Sequence, residues 1–214
     1  MRRAQAKAEK RAAIMAAAEA LLTEVGCDAF SMMGVAERAG VAKGTLYLYF
    51  ETREELLLAL YLELRGRADQ RLAAGLEEGM SDAALIDHYL ATMQADTNLL
   101  ELRVRLTSVI DQNVSPDRYI DAKRRMREGF EASAPLIERA IGLPAGRGIH
   151  VMIGFRALLI GASQLYTDPA LDPEELPADV AAFATEFSPA KVFKAYAPSL
   201  LAGIRADQGP APKP

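Results

Sequence analysis

The sequence predicts an all-α chain. Strand signals are nearly absent, and apolar residues recur three and four positions apart along almost the whole length. Gly and Pro punctuate those periodic runs and set where each helix should stop. The 214 residues, half of them hydrophobic, suffice for one sizeable core or for a small domain beside a larger one.

The first helix is expected from about Lys7 to Val25, with Ile14, Ala18, Leu21, Leu22 and Val25 on one stripe and Gly26 as its stop. Ser31 reads as the N-cap of a short helix to Ala39, which Gly40 breaks. A third helix covers about Ala42 to Phe50, and Thr52 caps a fourth that fades near Gly79. Ser81 or Asp82 opens the next, to about Ala95, with Leu85, Ile86, Tyr89, Leu90 and Met93 on its apolar face; another covers about Asn98 to Gln112. In "SPDRY", Ser115 is a cap and Pro116 a first helical residue, and that helix should run to "GLPAG" with Pro135 as a kink. Residues 149–166 are apolar almost all round, as in a helix buried on several sides. Residues 167–187 read as a Pro-rich acidic connection, Ser188-Pro189 starts a final helix, and the tail at 207–214 is expected to be disordered.

Composition narrows the function. The net charge is −4, yet the first eleven residues carry five bases against Glu9 alone, a local charge of +4. A basic footprint of that kind fits either a solvated helix face or a polyanion contact. Cys27 is the only cysteine, which excludes an intrachain disulfide framework and a cysteine zinc site. His88 and His150 lack metal-ligand spacing, and neither a phosphate-cradling Gly loop nor a nucleophile elbow is present. No catalytic residue, metal site or cofactor is therefore assigned, and an enzyme is not expected. No apolar run is long enough to span a membrane and no signal peptide is read, so the expected location is cytoplasmic.

The informative stretch is "AERAGVAKGTLYLYF", residues 36–50. A helix-turn-helix needs a small residue where its helices touch, a Gly at the turn and apolar residues on either side. Ala36 and Gly40 supply the first two, while Val35, Ala39, Val41, Leu46 and Phe50 form the inward set. Lys43, Gly44, Thr45 and Tyr47 then face outward at the start of the second helix, where such helices meet base edges. Lys43 can reach guanine O6 or N7 or a phosphate, Thr45 a base or a thymine methyl, and Gly44 admits a close backbone approach. Tyr47 and Tyr49 each offer a hydroxyl to a phosphate, although an aromatic trio with Phe50 also fits plain core packing.

Residues 7–60, and "GVAKGTLYLYFETREELL" above all, resemble the N-terminal domain of the tetracycline-repressor (TetR) family of transcriptional regulators. The resemblance implies a DNA-binding domain at 1–52 and a helical ligand-binding and dimerisation domain at 53–206. It places DNA contacts on Ser31, Lys43, Gly44, Thr45, Tyr47, Leu48, Tyr49, Thr52 and Arg53, with Lys43, Gly44 and Thr45 nearest the bases. Met33 and Leu48 depart from the family pattern, each removing a polar contact, and Arg2, Arg3, Lys7 and Arg11 could add phosphate contacts instead. It further implies a homodimer on a palindromic operator in double-stranded DNA, released by a small-molecule effector. Seam candidates are Phe155, Leu159, Phe193, Tyr196 and Leu200 on the last two long helices. Pocket candidates are Tyr61, His88, Tyr89, Met93, Leu106, Ile110, Met126, Phe130, Phe155 and Arg156. Met93, Met126 and Phe130 equally fit core packing, His88 an edge histidine, and "KRRMR" at 123–127 a solvated face with Met126 inward. The alternative is a ligand-independent DNA-binding or architectural protein with a filled C-terminal core.

Overall fold

The computed structural model describes residues 2–105, 112–165 and 176–207. Ten helices and no strand occur among them: α1 (Arg2–Ala29), α2 (Met32–Arg38), α3 (Lys43–Tyr47), α4 (Arg53–Ala74), α5 (Asp82–Gln94), α6 (Thr97–Arg105), α7 (Pro116–Ile141), α8 (Gly148–Leu165), α9 (Ala178–Glu186) and α10 (Pro189–Ala206). None is long and apolar enough to cross a membrane.

The local rules account for most boundaries. Ser31 accepts a hydrogen bond from the Gly34 amide at 3.1 Å and Ser81 one from Ala84 at 3.1 Å, so both cap as expected. At the head of α4 the exchange is reciprocal: Glu55 N donates to Thr52 Oγ1 at 3.0 Å while Glu51 N donates to Glu55 Oε2 at 3.1 Å. Two expectations need correction. Gly26 breaks α1 with φ +68°, but the chain resumes a helical turn to Ala29. Within the expected acidic connection, residues 178–186 form α9, because "ADVAAFATE" is Ala-rich and Pro177 stands at its N-cap, where a proline costs no helical bond. The expected helix over 98–112 is described as α6 to Arg105; residues 106–111 and the tail at 208–214 lie outside the described residues.

The chain divides into two compact units, Met1–Arg67 with Asp96–Met126, and Ala68–Ala95 with Arg127–Pro214. In the first, α1 packs on α2 and α6, and α2 on α3. Its core is the α1 stripe of Ile14, Ala18 and Leu22, the inward set Val35, Ala36, Leu46 and Phe50, and Leu56, Leu60, Tyr61 and Leu64 of α4. In the second, α10 packs on α8 and α5. An aromatic cluster fills it: the Tyr89 ring stacks on Phe193 at 5.6 Å, and Phe155 meets Tyr89 and Phe193 edge-on, each at 5.1 Å.

Candidate nucleic-acid interface

The candidate interface is built by α2, the turn after it and α3. Gly40 adopts φ +65°, a conformation that costs a residue with a Cβ about 1–2 kcal/mol. That reversal lets Val41 N donate to Ala36 O at 3.0 Å, and Ala42 then starts α3 in extended form. Hydrogen bonds from Leu48, Tyr49 and Phe50 to Thr45 or Leu46 continue the turn beyond Tyr47. Five residues are too few for a stable helix in isolation. Packing supplies the difference, since Leu46 is fully buried and Phe50 nearly so, and truncating such a leucine to Ala costs about 2–5 kcal/mol.

The residues expected to contact DNA differ in how far they are exposed. Ser31, Lys43 and Gly44 are exposed, Tyr47 is 40% and Leu48 82% exposed, and Thr45, Tyr49 and Thr52 are half-buried. Lys43 Nζ lies 5.8 Å from the Tyr47 ring centre, so the two side chains share one patch. Met33 is exposed too, which places two apolar side chains, Met33 and Leu48, on this otherwise polar region.

Two bases are committed elsewhere. Arg53 donates from Nε to Phe30 O at 2.9 Å and from Nη2 to Cys27 O, and pairs with Glu54 at 3.2 Å. It serves the carbonyls at the end of α1, which have no helical partner. Arg11 pairs with Glu63 at 3.1 Å and lies 5.6 Å from the Phe50 ring centre.

Sequence reasoning missed a latch beside this site. Glu101 of α6 accepts the Cys27 amide at 2.8 Å, and Arg105 grips both carboxylate oxygens of Asp28, at 2.6 and 2.8 Å. These pairs are more than seventy residues apart in sequence, so no local signal announces them. Arg105 holds the Asp28 carboxyl below its ordinary value, mainly by hydrogen bonding. Burial, and then the Glu101 carboxylate, push the Cys27 thiol up to about 12, which removes it as a nucleophile near neutral pH.

The pocket candidates are distributed over both units. Tyr61 and Met126 lie buried in the first, where the Tyr61 hydroxyl has no hydrogen-bond partner among the described residues. His88, Tyr89, Met93, Phe130, Phe155 and Arg156 belong to the second. Tyr89 and Phe155 pack on each other, and Arg156 lies over the Phe130 ring at 5.8 Å. His88 sits 2.9 Å from Leu72 O at the last turns of α4, which is the edge-histidine reading. Leu106 and Ile110 lie outside the described residues.

The seam candidates separate as well. Phe155, Leu159 and Phe193 are buried inside the chain's own second unit. The apolar periphery of α8 and the stripe of α10 are largely used against each other and α5. Leu200 is half-buried against Gly154, and among the described side chains of these helices the large apolar ones that are exposed are Ile153 and Tyr196, at 53% and 60%.

Comparison with known proteins bears on the family and the fold. Residues 14–60 match the family model of bacterial regulatory proteins, tetR family, and residues 59–208 match a tetracyclin repressor-like C-terminal domain. The fatty acid metabolism regulator protein of Bacillus subtilis is 32% identical over 106 residues, 45% of this chain and 55% of that protein, so the chain matches about half the relative's length. A TetR transcriptional regulator from Rhodococcus sp. RHA1 superposes over 95% of this chain and 99% of its own, with a TM-score of 0.56 at 16% identity. The regulator FadR from Bacillus subtilis, solved in complex with stearoyl-CoA, covers 92% of this chain and 98% of its own, with a TM-score of 0.50 at 17% identity. These matches are transcriptional regulators, not enzymes.

Proposed function

The chain belongs to the tetR family of bacterial regulatory proteins and is a DNA-binding transcriptional regulator, and from that premise we propose that it is a cytoplasmic, dimeric repressor whose hold on a palindromic operator is released by a small molecule. The observation that carries the reading is the α3 surface. Lys43, Gly44, Thr45 and Tyr47 face outward from a turn fixed by buried Leu46 and Phe50. Lys43, Gly44 and Thr45 read base edges; Ser31, Tyr47 and Tyr49 hold phosphates, and Thr52 orients α4 as its cap. A two-fold dimer presents two such surfaces about one helical turn of DNA apart. The exposed side chains of Ile153 and Tyr196 support a seam on α8 and α10.

The effector reading rests on Tyr61. The buried Tyr61 hydroxyl has no partner among the described residues; a hydroxyl left so costs about 1–3 kcal/mol, a cost that an effector accepting its hydrogen bond would recover. α4 begins at the DNA-binding end and contributes residues to both units, so it is the natural coupling element. By reciprocity, an effector that weakens DNA binding must itself bind more weakly to operator-loaded protein. Long-chain acyl-CoA is the first probe, because a structural neighbour was solved with stearoyl-CoA. One observation favours the second reading, a ligand-independent DNA binder: Tyr89, Phe155 and Phe193 fill space among themselves. The deciding experiment selects genomic DNA on the purified protein, then titrates acyl-CoA against free and operator-bound forms. Equal affinities in the two forms would reject release by that ligand, and absence of a selected palindrome would reject the operator model.

A further inference from the structure

An open cleft of about 380 Å³ lies within the first unit, bounded by α1, the segment after α3, α4 and the start of α7. Its charge does not balance. The three carboxylates lining it are engaged: Glu63 by Arg11 at 3.1 Å, Asp121 by Arg124 at 3.4 Å, and Glu55 by the Glu51 amide and Ser115 Oγ. Three of its four bases, Lys7, Arg118 and Arg125, make no hydrogen bond or ion pair among the described residues, and all three are exposed. Counting Arg124, which pairs with Asp121 from outside the lining, five bases face three carboxylates, so the cleft keeps an excess of about two positive charges. Leu48 and Tyr49, which follow the recognition helix directly, form part of the same lining.

We propose that this cleft is a second track for the DNA backbone, and that Arg118 and Arg125 of α7 each neutralise a phosphate flanking the base-contacting surface. The proposal rests on the DNA-binding reading of α3 and extends it to residues outside the helix-turn-helix. Three long, exposed cations on two separate helices suit a passing polyanion strand better than one small enclosed molecule. The apolar Leu48 at the lip then covers sugar rather than bonding a phosphate, and the α7 bases supply the polar contacts that it does not make.

The test is the salt dependence of operator affinity. Each phosphate contact contributes about 0.9 to the slope of log K against log salt. The Arg118→Ala/Arg125→Ala double variant should flatten that slope by about 1.8 and weaken binding about 30-fold at about 0.15 M salt. The loss should be nearly equal on operator and on an unrelated duplex, because phosphate contacts carry no sequence information. Arg118→Lys/Arg125→Lys should restore the slope. Arg127→Ala/Arg139→Ala removes the same charge from α7 outside the cleft lining, touches no carboxylate of the cleft, and should leave the slope near that of the unaltered chain. An unchanged slope in Arg118→Ala/Arg125→Ala, or an equal loss in the control pair, overturns the proposal. So does inorganic phosphate raising the Tm of DNA-free protein through these two arginines while the slope stays put, which would assign the cleft to a small anion. Failure of the unaltered chain to bind any operator would instead reject the DNA reading of α3, and this proposal with it.

Discussion

Replacing Phe155 by Ala separates two roles that an apolar helix can play. Phe155 is 1% exposed and touches the Tyr89 and Phe193 rings at 5.1 Å each, all inside one unit. Truncating a buried phenylalanine costs about 3–5 kcal/mol through lost transfer energy and the cavity left behind. In a chain of this length each kcal/mol lowers Tm by about 2–4 °C, so the expected loss is about 6–20 °C. Tyr196→Asp is the counterpart. Tyr196 is 60% exposed, so the substitution should change monomer stability by less than about 0.5 kcal/mol. If α8 and α10 form the seam, it should shift the sedimenting species toward monomer. Thermal denaturation followed by circular dichroism, with sedimentation velocity on the same samples, reads both quantities. A Phe155→Ala protein that keeps the original Tm but loses its dimer would refute the core placement of this ring.

Lys43→Ala should weaken operator binding by about 1–3 kcal/mol and relax the preference at one base position, while Tyr47→Phe should cost less and equally at all sites; gel-shift series on operator variants measure both. The Asp28 carboxyl has a folded pKa below its ordinary value, so its pairing with Arg105 is fully present above about pH 3.8 and is lost as pH falls through the lowered value. Urea denaturation from about pH 5 to about pH 2.5 should therefore show an acid limb that Asp28→Asn flattens, and identical limbs would dismiss the pairing as a stabilising contact. Cys27, with its thiol pushed up to about 12, should resist iodoacetamide at pH 8 in folded protein and react at once in urea; mass spectrometry showing rapid native alkylation would contradict its burial.

The helix-turn-helix was legible because its rules are local. Ser31, Ala36, Gly40 and Leu46 act within a few residues of one another, and each does in the structure what its chemistry requires. α9 was hidden because prolines and carboxylates around it outweighed a short Ala-rich run. The destination of Arg53 was not legible. A guanidinium at a helix start suits a phosphate as well as it suits the carbonyls of Cys27 and Phe30, and only the fold brings those within reach. The same holds for Phe155 and Phe193, whose hydrophobicity says that something covers them but not whether it is their own chain or a second one. The Arg118 and Arg125 pair escaped notice for a related reason, since a basic helix stretch reads as solvated until its neighbours are seen.

The short helix α3 has a consequence of a different kind. Its shape is imposed from beneath by Leu46 and Phe50 and from before by Gly40, while Lys43 and Tyr47 are exposed and Gly44 has open space where a Cβ would stand. Exchanges at those outward positions therefore cost little folding energy, and most surface replacements stay within about 0.5 kcal/mol. Where those positions read bases, as proposed above, duplicated copies of such a chain can drift to new target sequences one letter at a time without first acquiring a stabilising change elsewhere. The address read on the DNA is free to diverge while the reader stays intact.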